Sequence, residues 1–263
     1  MKISSSLFII TTLLFFFFSQ FSNAVDTITQ AQQIVENQTL VSKDENFELG
    51  FFSRGSSTSR YLGIWYKHIP VHTVVWVANW ENPIKGYLSS TILMIDNIGN
   101  PVLLNHNKTI WSAKPMKKVQ QPILQLLDSG NLVLRDSENN YLWQSFDYPS
   151  DTLLPDMKLG WNFNTGFNRS LSSWKSMDDP SPGDFTWDIQ LHDYPEPIMW
   201  RGSQKYFRNG PWNGRKFGGV PTIEFDPVFD FTYVSSEDEL YYTYNPKNKS
   251  LVSRLVMNQT TYS

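Results

Sequence analysis

The chain has 263 residues, a formal net charge of −3 and no cysteine, and it contains 10 Trp, 18 Phe and 12 Tyr. Without cysteine no disulfide can brace the fold, so apolar burial must stabilise it, and this length suffices for one or two ordinary cores. The small negative charge gives no reason to expect nucleic acid or an anionic membrane surface as a partner.

The first 24 residues have the three-part layout of a secretory signal peptide. Lys2 supplies the positive charge, Leu7–Phe18 is an apolar run, and Ser22-Asn23-Ala24 places small residues at a cleavage site. The run has 12 residues, whereas about 20 are needed to span a bilayer. We therefore predict that residues 1–24 are removed and that a secreted chain without a membrane span starts near Val25.

Asn-x-Ser/Thr sequons occur at five positions behind this segment. In a protein of the secretory pathway such sequons mark surface loops that carry N-linked glycans. The predicted glycosylation sites are Asn37, Asn107, Asn168, Asn248 and Asn258.

Short runs of β-branched and aromatic residues, separated by Gly, Pro, Asn and Asp, predict an all-β fold. Three of these strands end on a tryptophan, 35 and then 32 residues apart, at Trp76, Trp111 and Trp143. Asn100–Leu104 and Asn131–Arg135 precede the last two, and Asn46–Gly50 is a weaker copy ahead of the first. This repeat predicts approximate threefold symmetry, with the three tryptophans meeting in a shared core.

From about Trp143 the strands become less regular and Pro, Asp and Trp increase. Met177–Gly183 is predicted to be a turn-forming loop. Phe185–Leu191 alternates apolar and polar residues, which is typical of a half-buried strand. Further strands are predicted at Pro197–Arg201, Phe229–Val234, Leu240–Tyr244 and Leu251–Met257.

Long and unusual strings cover much of the chain, among them Tyr61–Tyr66, Thr73–Asn79, Leu126–Asp136, Leu142–Pro155 and Arg208–Gly214. They resemble the bulb-type lectin domain and the following S-locus glycoprotein domain of plant S-locus glycoproteins and G-type lectin S-receptor-like kinases. The resemblance implies a β-prism of three four-stranded sheets with pseudo-threefold repeats, followed by a partial, second β-rich domain. It divides the chain into a signal peptide (1–24), a lectin domain (25–147), a linker (148–200) and a partial S-locus glycoprotein domain (201–263). It also implies that the chain stops before the EGF-like, PAN, transmembrane and kinase regions of its relatives.

The mannose site of the resembled lectins is the strand motif Gln-x-Asp-x-Asn-x-Val-x-Tyr, in which alternate residues share one face. Placed on the three repeats, the motif keeps Asn in each and Asp in one, but it keeps neither Gln nor Tyr. Each sugar hydroxyl left unpaired costs about 1–3 kcal/mol, so we expect free-mannose binding to be lost. A bulge at Gly130 would turn Asp128 to the face of the motif. With it, the remaining candidate sugar-binding residues are Asp44, Asn46, Asn100, Asp128 and Asn131.

Two binding functions stay open. By resemblance, the chain is an extracellular recognition module for a protein or peptide ligand or a partner ectodomain, as in recognition of pollen or immune perception, with dimerisation possible. The alternative is binding of mannose or an N-glycan through the residual lectin sites. The protein is expected in the apoplast, or on the outer face of the plasma membrane as part of a longer receptor.

No catalytic, metal or cofactor site is predicted. The sequence has no kinase phosphate loop and no Gly-x-Ser-x-Gly elbow. The adjacent acids Asp178-Asp179 and Glu237–Glu239 lie in turn-like segments and not across a cleft. Pro70 stands between His68 and His72, which argues against a helical metal-binding pair.

Overall fold

The computed structural model describes residues 25–55, 57–85, 90–114, 121–219 and 226–259. Its regular elements there are 22 strands and one short 3-10 helix at Ser145–Asp147, which confirms the all-β prediction. The predicted signal peptide, residues 1–24, lies outside the described residues.

The first twelve strands build an N-terminal prism. They are β1 Thr27–Thr29, β2 Gln33–Val35, β3 Leu40–Val41, β4 Phe47–Phe52, β5 Tyr61–Tyr66, β6 Val74–Val77, β7 Thr91–Ile95, β8 Pro101–Asn105, β9 Lys108–Ser112, β10 Ile123–Leu126, β11 Leu132–Arg135 and β12 Tyr141–Gln144. They pair as three four-stranded antiparallel sheets. The first sheet is β3-β4-β5-β6, the second β2-β7-β8-β9 and the third β1-β10-β11-β12. Each sheet therefore combines one strand from the start of the chain with one of three successive three-stranded units.

The three repeated tryptophans meet where the sheets converge. The ring centroids of Trp76, Trp111 and Trp143 lie 6.0, 6.1 and 5.8 Å apart, with interplanar angles of 78, 66 and 71°. These are edge-to-face contacts, the arrangement that the ring quadrupoles favour. Trp76 and Trp143 are buried and Trp111 is half-buried. The predicted threefold prism with its shared tryptophan core is confirmed.

The remaining strands form a C-terminal unit. They are β13 Thr152–Leu153, β14 Leu159–Asn162, β15 Phe167–Arg169, β16 Leu171–Ser176, β17 Asp179–Gln190, β18 Glu196–Arg201, β19 Gln204–Arg208, β20 Phe229–Ser235, β21 Glu239–Pro246 and β22 Leu255–Val256. Two sheets have four strands, in the orders β15-β14-β21-β20 and β16-β17-β18-β19, and β13 pairs with β22 alone.

Two predictions for this unit differ from the structure. Most of the predicted loop Met177–Gly183 belongs to β17, which begins at Asp179. The pairing of β16 with β17 shifts register on both sides of Trp174, which pairs with Pro182; such bulges accommodate residues without a backbone N–H. In the predicted strand Leu251–Met257, only Leu255–Val256 pairs, with β13.

One apolar core runs through both units. It joins buried prism residues such as Leu126 and Trp143 to Leu159 and Tyr244 of the C-terminal unit. A smaller cluster on the other face of the first sheet includes Trp174 from β16. The two units are therefore packed together through apolar side chains on both faces of one sheet.

Replacing Trp143 by alanine tests the role of the tryptophan core. The ring is 6% exposed and touches both other tryptophans, so we expect the free energy of unfolding to fall by about 3–5 kcal/mol. The control is Tyr141, an exposed residue two positions before Trp143 on the same strand. Tyr141→Ala should change the free energy of unfolding by less than about 0.5 kcal/mol in the same chemical denaturation experiment. Equal losses in the two variants would contradict a central core role for Trp143.

Candidate functional site

The outer face of the first sheet, where the first copy of the sugar motif was placed, is filled by a tryptophan. Trp65 of β5 is buried and donates its indole N–H to Glu48 Oε2 at 3.0 Å. Its ring also lies over Gly50, where an added Cβ would come within 2.9 Å of Trp65 Cη2. In this copy Glu48 stands at the motif's Val position and Gly50 at its Tyr position. The space beside Gly50 is therefore occupied by the Trp65 ring.

The C-terminal unit covers the same face. Trp174 packs against a cluster that includes Trp65, and the guanidinium of Arg54 lies 5.5 Å from the Trp174 ring centroid. Tyr61 Oη donates to Asp179 Oδ1 at 3.4 Å across the same junction. The first sheet is consequently buried on both faces, which explains why every residue of β5 and β6 is buried.

Asn131, at the centre of the third copy of the motif, forms hydrogen bonds within the protein. It is 5% exposed. Its Oδ1 accepts hydrogen bonds from Ser145 Oγ at 3.1 Å and from the Phe146 N–H at 3.2 Å, and its Nδ2 donates to Gln144 Oε1 at 3.0 Å. Both lone pairs of the carboxamide oxygen are thereby used within the chain.

An internal hydrogen-bond chain crosses the rest of this third sheet. Arg135, which takes the place of the motif's Tyr, donates from Nε to Gln125 Oε1 at 2.8 Å. Gln125 in turn donates to Asp26 Oδ2 at 2.8 Å. The polar groups on this face therefore bond to one another, an arrangement that ties β1, β10 and β11 together.

The middle copy lies on the second sheet and has a largely apolar strand face. Asp96 Oδ1 accepts the backbone N–H groups of Ile98 at 3.0 Å and of Asn100 at 2.8 Å, so this carboxylate holds its own turn. The following motif positions are Val102 and Leu104. Asn100 is half-buried, and its carboxamide has no hydrogen-bond partner in the described part of the chain.

A cavity of about 710 Å³ lies between the prism and the C-terminal unit. We call it the seam cavity, and its lining includes Asn46, Tyr66 and Asp128 from the prism and Asn245, Lys249 and Val252 from the C-terminal unit. Its walls combine carboxamide, carboxylate and ammonium groups with aromatic and aliphatic surface. A cavity of this size and mixed lining is typical of a ligand-binding site.

Two of the five predicted residues, Asn46 and Asp128, line the seam cavity, and Asp44 contacts one of them. Asp128 Oδ1 accepts the backbone N–H of Asp44 at 2.7 Å, and exposed Asn46 lies on the cavity wall. Asn100 and Asn131 are elsewhere, and Asn131 lines a separate cavity of about 290 Å³. The sequence missed Lys249 and Val252, because their part in the cavity arises only when the two units pack.

Asp151 is a buried carboxyl at the junction between the units. It is 7% exposed, and Oδ1 accepts from Thr152 Oγ1 at 2.9 Å. Burial raises its pKa from 3.8 to about 6, although the hydrogen bond from Thr152 and the charge of Arg254 act in the opposite direction. The folded state therefore holds this proton more tightly than the unfolded chain does.

Four of the five sequon asparagines are exposed, namely Asn37, Asn107, Asn248 and Asn258. Asn168 differs, since it is half-buried in β15 opposite Trp161. Its Oδ1 is buried and has no hydrogen-bond partner among the described residues. Asn168 is therefore the least exposed of the five predicted glycosylation sites.

Within the described ranges, no group of three or more His, Asp or Glu side chains is arranged to hold a metal ion. The same ranges contain no helix long and apolar enough to cross a membrane.

Substitution of Asp151 by asparagine should change how stability depends on pH. Because the folded pKa lies above the unfolded value, the stability that Asp151 contributes is complete below about pH 4 and is lost as the pH rises through about 6. Asp151→Asn keeps the side chain neutral, so we expect this variant to exceed the parent chain by about 3 kcal/mol at pH 7.5. The advantage should disappear near pH 3.5. Denaturant unfolding across this pH range measures the difference, with exposed Asp193→Asn as the control; a pH-independent difference would contradict the assignment.

Site-resolved mass spectrometry of the secreted chain tests the glycosylation sites. We expect glycans on Asn37, Asn107, Asn248 and Asn258 and little or none on Asn168, because folded chains carrying a glycan there would lose local packing. Asn107→Gln should increase gel mobility, whereas Asn168→Gln should leave both mobility and secreted yield unchanged. High occupancy at Asn168 would show that the placement of β15 is wrong.

Comparison with known proteins agrees with the sequence resemblance. The D-mannose binding lectin family profile matches residues 73–175 and the S-locus glycoprotein domain profile matches residues 207–263. The S-locus-specific glycoprotein S6 of Brassica oleracea is 42% identical over 264 residues, which cover 98% of this chain and 60% of that protein. Receptor-like serine/threonine-protein kinase SD1-7 of Arabidopsis thaliana is 43% identical over 257 residues, which cover 96% of this chain and 30% of that protein.

The chain thus spans about 60% of the first of these relatives and about 30% of the second. Among solved structures, a monomeric monocot mannose-binding lectin from Gastrodia elata aligns with a TM-score of 0.34 and 18% identity, covering 46% of this chain and 96% of that one. The predicted limits of the individual domains stay predictions. The chain therefore carries segments that match the D-mannose binding lectin and S-locus glycoprotein domain families, and over most of its length it is similar to plant S-locus-specific glycoproteins and receptor-like serine/threonine-protein kinases.

Proposed function

We propose that the chain is an extracellular recognition module that binds a protein or peptide ligand, or a partner ectodomain, and not free mannose. The observation that carries the proposal is the internal use of the sugar-motif positions. Trp65 covers Gly50, the Tyr position of the first copy, and the carboxamide oxygen of Asn131 is fully hydrogen-bonded within the third. The second copy presents Ile98 in place of the motif's Asp and Leu104 in place of its Tyr, so two groups that would bind sugar hydroxyls are replaced by aliphatic side chains.

The seam cavity supports binding of a protein ligand, because its lining combines apolar and polar groups. Leu251 and Val252 on its lining are 40% and 61% exposed, beside the polar groups of Asn46, Asp128 and Lys249. Protein ligands bind through such combinations of an apolar anchor and a polar surround. Since both units line the cavity, a ligand there would contact the lectin and S-locus glycoprotein domains at once.

An apoplastic location follows from the predicted signal peptide and the exposed sequons. S-locus-specific glycoproteins and receptor-like kinases among the relatives are consistent with either a secreted or a membrane-attached arrangement of these domains. For the present chain we propose the extracellular space, or the outer face of the plasma membrane within a longer receptor.

The proposal is tested by passing apoplastic fluid over the immobilised, secreted chain and measuring the material that is retained. We expect retained material to disappear after protease treatment of the fluid and to survive glycosidase treatment. Val252→Arg, which puts a charge on the exposed apolar rim of the seam cavity, should reduce retention at least tenfold. Ile98→Arg is the matched control, because Ile98 is a 57% exposed aliphatic residue on the second sheet's turn and should bind as the parent chain does.

The alternative carbohydrate function predicts the reverse. Retention of the chain on mannose–agarose or on a glycan array, together with ligand loss after glycosidase but not protease treatment, would favour residual sugar sites over the proposal. Equal binding by the Val252→Arg and parent chains would exclude the seam cavity as the contact surface.

A further inference from the structure

A second cavity, of about 270 Å³, lies at the junction and is lined by different residues. We call it the arginine cavity; Arg54 and His72 line it from the prism, and Asp151, Trp174, Met177 and Arg254 line it from the C-terminal unit. Consecutive residues Ser253 and Arg254 line the seam cavity and the arginine cavity respectively. The volume corresponds to about nine water molecules, which is room for a single amino-acid residue.

Two buried N–H donors in this cavity have no acceptor. Trp174 is 8% exposed and its Nε1 makes no hydrogen bond with any described residue, and the same holds for Arg54 Nε. Buried donors are nearly always paired in folded proteins. Both residues line the cavity, so a ligand bound there is a source of the missing acceptors.

The guanidinium groups are also available for a negative charge. Neither Arg54 nor Arg254 has a carboxylate oxygen within 4.0 Å in the described part of the chain. Arg54 donates from Nη2 to the His72 carbonyl at 2.7 Å, and Arg254 donates from Nη1 to the Val74 carbonyl at 3.4 Å. Each arginine has five N–H donors, so most of their donors are left for a ligand.

The rim of the cavity is apolar. Val71 is 72% exposed and Met177 is 87% exposed, and both line the opening. Planar guanidinium groups match the two oxygens of a carboxylate. A fitting ligand therefore combines a carboxylate with a neighbouring apolar group.

We propose that the arginine cavity binds the C-terminal carboxylate of a peptide whose last side chain is apolar. Arg54, Arg254 and the Trp174 indole would hold the carboxylate, while Val71 and Met177 would contact the last side chain. The inference names a ligand class for the proposed recognition role and rests on that role for its biological use. Its chemistry concerns a separate cavity and is tested separately.

Binding should strengthen as the pH falls from 7.5 to 5. The titratable groups facing the cavity are Arg54, His72, Asp151 and Arg254, with Asp178 close to Arg54. Burial raises the pKa of Asp151 to about 6, so protonation at pH 5 removes a negative charge from beside the incoming carboxylate. Burial and the charge of Arg54 lower the pKa of His72, so this imidazole gains its proton at a lower pH than a free one does.

The test is titration of the secreted chain with N-acetyl-alanyl-leucine, with the same peptide carrying a C-terminal amide, and with sodium sulfate. Calorimetry and the NMR signals of the indole N–H groups report binding. We expect a Kd below about 1 mM for the free carboxylate, with a shift of the Trp174 indole signal, and at least tenfold weaker binding of the amide. Because Asn258 lies on the rim, the titration is run on intact and on enzymatically deglycosylated protein.

Matched variants identify the donors. Trp174→Phe keeps an aromatic ring but removes the N–H, and Arg254→Gln removes the charge; each should weaken carboxylate binding at least tenfold. The controls are Trp187→Phe, whose indole already bonds to Asn209, and the exposed Arg201→Gln, and both should bind as the parent chain does. Thermal unfolding of each variant verifies that it is folded.

Equal binding of the acid and the amide, or unchanged affinity in folded Trp174→Phe and Arg254→Gln chains, would overturn the inference. Sulfate binding as tight as the peptide's would overturn its carboxylate specificity. None of these results alters the response of Val252→Arg to protein ligand, so failure here is distinguishable from failure of the proposed function.

Discussion

The edge-to-face contact of Trp76, Trp111 and Trp143 is the constraint on which the fold depends. Each four-stranded sheet is too small to bury its own apolar face, so the three sheets must close around a common core. One indole from each sheet reaches that core, and a one-residue slip of any of these strands would turn its tryptophan to the outside. Strand register and threefold closure are thereby fixed together, in a chain that has no cysteine to form a disulfide.

Closure of the prism leaves three outer faces, and the side chains that occupy each face determine what the protein can bind. The first face is filled by Trp65 and then covered by Trp174. On the third face, Arg135 and Gln125 bond to each other and to Asp26. On these two faces, motif positions such as Gly50, Asn131 and Arg135 are therefore covered by, or bonded to, other side chains of the fold. In this chain the lectin architecture supports a junction between units, and the cavities at that junction become the surfaces open to ligands.

Much of the prism could be predicted because its signals are local and repeated. The tryptophan spacing and the strands around Asn100 and Asn131 need only short-range patterns, and the structure confirms them. The bulges that admit Pro182 into β17 could not be predicted, since proline in isolation indicates a turn. The loss of sugar-binding residues could be predicted from the absent Gln and Tyr. The packing of the C-terminal unit over the first copy of the motif could not. Trp174 reaches the first sheet from more than a hundred residues away, a contact that no local pattern encodes.

The junction also contains a feature that packing alone does not explain. An unpaired buried N–H costs about 1–3 kcal/mol, and two such groups belong to Arg54 and Trp174, which both line the arginine cavity. A phenylalanine at position 174 would keep most of the ring's contact with Trp65 without this cost. No described residue supplies an acceptor for this indole N–H. A ligand that supplies one removes the cost in the folded state alone, so its binding would stabilise the same junction that closes the first lectin face.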